Sequence, residues 1–146
     1  PALLARTLDA VRQGAAPRSP QAEAQATYAP RLTKEDGRIR WTMGAEEIYD
    51  RIRGFNPWPM CFCEVPPEPR EDAAEAAPSV LRLLRARVEK GAGAAGEVLD
   101  IGEDGALVAA GGGAVRLLEV QPEGRRPMTG GAYLHGHALK TGTLLP

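Results

Sequence analysis

In GEVLDIGEDGALVAAGGGAVRLLEVQPEGRRPM, residues Gly96 to Met128, short apolar runs alternate with turn-forming clusters. Gly96 to Ile101, Ala106 to Ala110 and Val115 to Val120 are rich in branched and apolar side chains and read as strands. Between them stand Glu103-Asp104-Gly105 and Gly111-Gly112-Gly113. The triple glycine lacks the lysine and helix that follow a phosphate-binding loop, so it reads as a hairpin turn. Upstream, Cys61 to Val65 and Leu81 to Val88 add two more runs of the same kind, set off by Pro66-Pro67, an acidic Ala-rich loop to Pro78, and Lys90-Gly91-Ala92-Gly93. Five short strands at this spacing predict a mainly β fold, a small five-stranded OB-like barrel, because closing a sheet removes its exposed edges.

A helix is expected in front of the strands. Over Ala45 to Gly54, Ile48, Ile52 and Phe55 recur at i, i+4, i+7 and Glu47 sits four before Arg51. Gly44 serves as N-cap and Gly54 as the stop, and the following Asn56-Pro57-Trp58-Pro59 must be a rigid corner. Thr129 is placed to cap a short helix through Leu134, with Thr143 to Leu145 as a last extended piece. At the other end, Leu4, Leu8 and Val11 give Ala2 to Arg12 an amphipathic pattern that stops at Gly14 and Pro17. The polar, proline-punctuated Gly14 to Ala26 is linker chemistry.

Composition narrows the function classes. Eighteen Lys and Arg against 19 Asp and Glu exclude a global basic field, so any nucleic-acid surface must be local. No apolar run approaches the roughly 20 residues of a membrane span, so no membrane partner is expected. The two cysteines, Cys61 and Cys63, are ~6.6 Å apart in an extended chain, near the limit for a disulfide, which favours a reduced, cytoplasmic protein. With His135 and His137 they could supply four zinc donors, but C-x-C with H-x-H is no known finger spacing and two cysteines on one strand face are more simply core. No metal and no cofactor are expected in this chain, and no catalytic Ser-His-Asp order or carboxylate pair is present.

Three segments, in order, resemble the C-terminal region of the methionyl-tRNA formyltransferases with its interdomain linker. They are ATYAPRLTKEDGRIRW from Ala26 to Trp41, AEEIYDRIRGFNPWPM from Ala45 to Met60, and Gly96 to Met128 with a weaker LHGHALKTGTLL end. The second is the most specific, and the Phe55 to Pro59 corner with Gln121-Pro122-Glu123-Gly124 favours the tRNA enzyme among related formyltransferases. Two departures stand out: a longer, more acidic Glu64 to Ala77 loop, and Thr129-Gly130-Gly131-Ala132 in place of stronger helix formers.

The resemblance implies residues 1–38 as the last helix of an upstream catalytic domain plus linker, and 39–146 as a tRNA-binding domain. It implies a parent enzyme that formylates methionine on initiator tRNA, with 10-formyltetrahydrofolate as donor, in translation initiation. The family's catalytic asparagine, histidine and aspartate would lie in that upstream domain, so this fragment alone should be inactive. Related enzymes acting on UDP-sugars or on formyl-tetrahydrofolate share a similar domain, so a structural or dimerisation role is the alternative.

The basic candidates for tRNA contact are local. Lys34, Arg38 and Arg40, with Arg31 just before them, form a strap suited to track phosphates, unless Glu35 and Asp36 merely neutralise it. Arg125 and Arg126 occupy a turn from which guanidiniums reach outward, and Lys140 lies near the end. Arg85 and Arg87 alternate with Leu84, Ala86 and Val88, which puts the two arginines on one strand face. Trp58 could stack on a base, but between two prolines and beside Phe55 it is expected to plug the core between helix and barrel. Trp41 and Tyr49 have the same expectation.

Overall fold

A computed structural model describes residues 2–67, 78–137 and 139–146. The chain forms two compact units, Pro1–Arg31 and Leu32–Pro146.

In the first unit, helix α1 spans Ala2–Arg12, as the apolar spacing predicts, and none of its residues is buried. Leu3, Leu4, Leu8 and Val11 all stand exposed. After it only a single 3-10 turn, Glu23–Gln25, interrupts the linker.

The second unit holds the core. Helix α2 (Ala45–Gly54) leads into β1 (Cys61–Val65), β2 (Ser79–Glu89), β3 (Val98–Gly102), β4 (Gly105–Ala109), β5 (Ala114–Pro122), the two-residue β6 (Met128–Thr129) and helix α3 (Gly130–Gly136). The five expected strands are present, and β6 is an addition too short to show as a sequence pattern. All pairings are antiparallel, in the order β1-β2-β5-β4-β3, with β6 on β5. The architecture is mainly β and OB-like, but the hydrogen-bond ladder does not run full circle, because β1 and β3 do not pair. Single bridges cover the two open edges instead. Arg38 bridges Phe62 on β1, and Leu144 bridges Glu97 just before β3. Most of the acidic loop expected to depart from the family pattern, residues 68–77, lies outside the described residues.

Alternation explains the core. On β1, Cys61, Cys63 and Val65 point inward; on β2, Leu81 and Leu83; on β5, Val120 and Pro122. A register irregularity at Leu84–Arg85, matched on β5 near Glu119, then shifts both strands together, so that Ala86 and Leu117 become the inward pair. Arg85 and Arg87 therefore do share an exposed face. The inward set before them is Leu81 and Leu83, however, and not the Leu84 phase extrapolated backward from Ala86.

Helix α2 closes one end with Ile48 and Ile52, both fully buried. Its Gly44 N-cap has no side chain to offer, and the carbonyl of Gly112 accepts from Ala45 N at 3.1 Å in its place. The triple-glycine hairpin is thus also part of the helix cap: Gly111 N donates to Met43 O at 2.8 Å, and a side chain on Gly111 would collide with the Thr42 carbonyl. Thr129 caps α3 through Ala132 N at 3.2 Å. Gly130 and Gly131, poor helix formers, are there for close approach, since a Cβ at either would strike the carbonyl of Leu117 or Glu103.

The aromatic expectations divide. Trp41 is a core plug, 3% exposed, with its Nε1 lacking a hydrogen-bond partner. Tyr49 is only half-buried, beneath Arg53. Trp58 is not a plug at all: it is 54% exposed. Both prolines of its corner follow cis peptide bonds, Asn56-Pro57 and Trp58-Pro59. The seam it was expected to fill is taken by Ile48, Ile52 and Trp41, with Phe55 packed at its margin.

Candidate nucleic-acid interface

Strand alternation builds an outward surface across one end of the sheet. Because Cys61, Leu81 and Val120 face the core, Phe62, Arg82 and Gln121 face away from it, and they stand in register: Phe62 opposite Arg82, Arg82 opposite Gln121. Arg38 extends this row by bridging Phe62 from the open side of β1. At the other end Gln121 Nε2 donates to the Arg125 carbonyl at 2.9 Å, tying the Arg125-Arg126 turn to the same row. Neighbouring strands are ~4.8 Å apart, so the row from Arg38 to Gln121 spans roughly 14 Å.

Its charges differ in availability. The Arg38 guanidinium donates to Glu64 Oε1 at 2.6 Å and to Glu35 Oε2 at 3.3 Å, and lies 5.1 Å from the Phe62 ring centre. Those hydrogen bonds, Glu64's first, raise its pKa above the ordinary arginine value, so it stays charged but largely answered. Asp36 accepts from the Thr33 amide and hydroxyl, which lowers its pKa and braces the turn after Lys34. Lys34, Arg40, Arg125 and Arg126 are exposed, Arg82 is half-exposed, and none of the five forms an ion pair among the described residues.

Other candidates fall elsewhere. Arg87 donates to Glu89 at 2.8 Å and lies within 3.3 Å of Asp104, on the rim of a cleft of about 350 Å³ lined also by Asp100, Gly102 and Arg116. Arg116, the most buried charge among the described residues, holds that cleft together through Glu89 at 2.8 Å, Asp100 at 3.0 Å and the Gly105 carbonyl at 2.9 Å. The hydrogen bond from Arg116, then that from Arg87, pushes the Glu89 carboxyl below the usual range. Arg87 thus belongs to a self-neutralised network. Arg85 is exposed but stands opposite Glu119. Lys140 is exposed in the loop after α3, and Arg31 belongs to the other unit.

Arg82 was missed in the sequence, although its signal was there: if Leu81 and Leu83 face in, Arg82 faces out. Cys61 and Cys63 are buried, and burial pushes their thiols up to about 11 and about 12. No group of three or more His, Cys, Asp or Glu side chains able to hold a metal occurs among the described residues. No described helix is long and apolar enough to cross a membrane.

The chain is 38% identical over 143 residues to a methionyl-tRNA formyltransferase of Chelativorans sp. (strain BNC1), covering 98% of this chain and 43% of that protein. It is 40% identical over 143 residues to that of Phenylobacterium zucineum (strain HLK1), and 38% over 145 residues to that of Moorella thermoacetica (strain ATCC 39073 / JCM 9320), at the same coverages. The chain therefore spans less than half the length of these relatives. Residues 31–138 match the family described as Formyl transferase, C-terminal domain, and the chain belongs to that family.

Proposed function

We propose that this chain is the tRNA-docking part of a methionyl-tRNA formyltransferase, working in cis with a catalytic domain that formylates the methionine of initiator tRNA. The donor would be 10-formyltetrahydrofolate, and the setting translation initiation in the cytoplasm. The relatives' names favour a tRNA substrate over a UDP-sugar or a free folate. The observation that carries the reading is the outward row, whose cations at Arg82 and the Arg125-Arg126 turn form no ion pair among the described residues, with Lys34 and Arg40 in the segment that joins it. Cations on strands and turns hold phosphates without reading base edges, so the contact is a backbone clamp.

The test is a salt titration of tRNA binding by the full-length enzyme and by Lys34→Ala, Arg82→Ala and Arg125→Ala variants. Each lost phosphate contact should reduce the magnitude of the log-affinity versus log-salt slope by ~0.7 to 0.9. The preference for initiator over elongator methionine tRNA should hardly change. Slopes unchanged in all three variants would favour a purely structural or dimerising domain.

A further inference from the structure

We propose that Trp58 is a stacking platform for an unpaired RNA base, carried on the corner to which the strap is fastened. The inference rests on the tRNA-docking reading and adds a second kind of contact to it.

Trp58 is the largest side chain of the Asn56 to Met60 corner, yet it is 54% exposed. The corner is not loose. Met60 N donates to Phe55 O at 2.9 Å, closing the turn, and the ring of each proline fixes its own φ. The strap segment is fastened to the same place: Gly37 lies so close to the Met60 carbonyl that a Cβ there would collide with it. Ile39 N donates to Phe62 O at 2.8 Å, and the Arg51 guanidinium reaches the Asp36 carbonyl at 3.2 Å. Corner and strap are therefore one piece, and it carries Lys34 and Arg40, which form no ion pair among the described residues.

The neighbouring rings are already used. Arg53 lies 5.0 Å from the centre of Tyr49, Arg51 5.8 Å from Phe55, and Arg38 5.1 Å from Phe62. Among the described residues no cation covers Trp58, so its ring remains open to a ligand. A protein partner would call for a wider apolar patch, but no other large apolar side chain of the corner is exposed. One exposed aromatic face on the same piece as Lys34 and Arg40, which form no ion pair among the described residues, suits a nucleotide, with the base on the ring and its phosphate toward the strap. Such stacking tolerates any base and costs little ordering entropy when the ring is held in advance.

The chain has only two tryptophans, and Trp41 is 3% exposed, so Trp58 fluorescence can be followed against a buried reference. The experiment titrates the full 146-residue chain with an initiator methionine tRNA transcript and with a blunt RNA duplex. We expect the tRNA, with its unpaired bases, to quench the acrylamide-accessible emission and the duplex to leave it unchanged. Trp58→Ala should weaken tRNA binding roughly 5- to 100-fold, while Trp58→Phe keeps most of the affinity. Far-UV circular dichroism should be the same for all variants, as expected for an exposed side chain. If Lys34→Ala weakens binding and Trp58→Ala does not, the platform is overturned, the clamp stands, and Trp58 is free for a protein contact. Equal quenching by the duplex would also overturn it. If the unaltered chain binds neither RNA, the clamp and the platform both fall.

Discussion

Ile52 shows how much rests on one side chain where α2 meets the sheet. It is 1% exposed and sits one helical turn from the fully buried Ile48. Ile52→Ala removes most of its apolar volume from a region already filled by Trp41, and should cost about 2–4 kcal/mol in a urea unfolding experiment. The cysteines behave as core residues of a different kind. Their folded pKa values are raised from 9.0 to about 11 and about 12 by burial, so below pH 9 both states hold neutral thiols. As pH climbs from 9 toward 11–12, only the unfolded chain ionises, and the stability these thiols lend is lost. At pH 7 an aromatic disulfide reagent should therefore react with neither thiol until denaturant is added; prompt reaction of the folded chain would contradict their burial. Apolar periodicity made Ile48 and Ile52 legible in the sequence. Trp58 was not, because hydrophobicity says that a residue can be buried, while only the path of the backbone through its corner says whether there is a core beside it.

At the scale of elements, the Gly111-Gly112-Gly113 hairpin does two jobs, turning β4 into β5 and capping α2. Replacing Gly111 with alanine drives a methyl group into the Thr42 carbonyl and should cost ~1–3 kcal/mol. Gly112→Ala, with nothing within 4 Å of the added carbon, is the matched control and should change the unfolding midpoint little. Equal effects at the two positions would mean that the hairpin does not press on the helix entry. The turn itself could be read from three consecutive glycines, but its second role could not, since it depends on Met43 and Ala45, nearly 70 residues away. The same limit hid Arg82. Its outward phase follows from Leu81 and Leu83, but the irregularity at Leu84–Arg85 resets the alternation, and a phase extended backward from Ala86 points the wrong way. The glycines at Gly130 and Gly131 look like a flaw in a helix until the carbonyls of Leu117 and Glu103 are seen against them.

On the scale of the whole molecule, the second unit sets the outward row of Phe62, Arg82 and Gln121 on a sheet whose other face is core. His135 Nδ1 is 2.9 Å from the Gly131 carbonyl, and the His137 ring stacks on that of Tyr133 at 4.1 Å. The isolated chain, given tRNA and folate donor and freed of host enzyme, should transfer no formyl group above the uncatalysed background. Sustained turnover would overturn the proposal that the chemistry belongs to an upstream catalytic domain.

The two bridges that cover the sheet edges tie the order of synthesis to the safety of the product. The β1 edge is met by Arg38, which leaves the ribosome before its partner strand, so that edge has a cover from the moment it forms. The β3 edge waits for residues 142–145, where Val98 N donates to Thr143 O at 2.8 Å and Leu145 N to Gly96 O at 2.9 Å. A nascent chain stopped after α3 would therefore carry a nearly finished sheet with one bare strand, the form most prone to pair with another copy of itself.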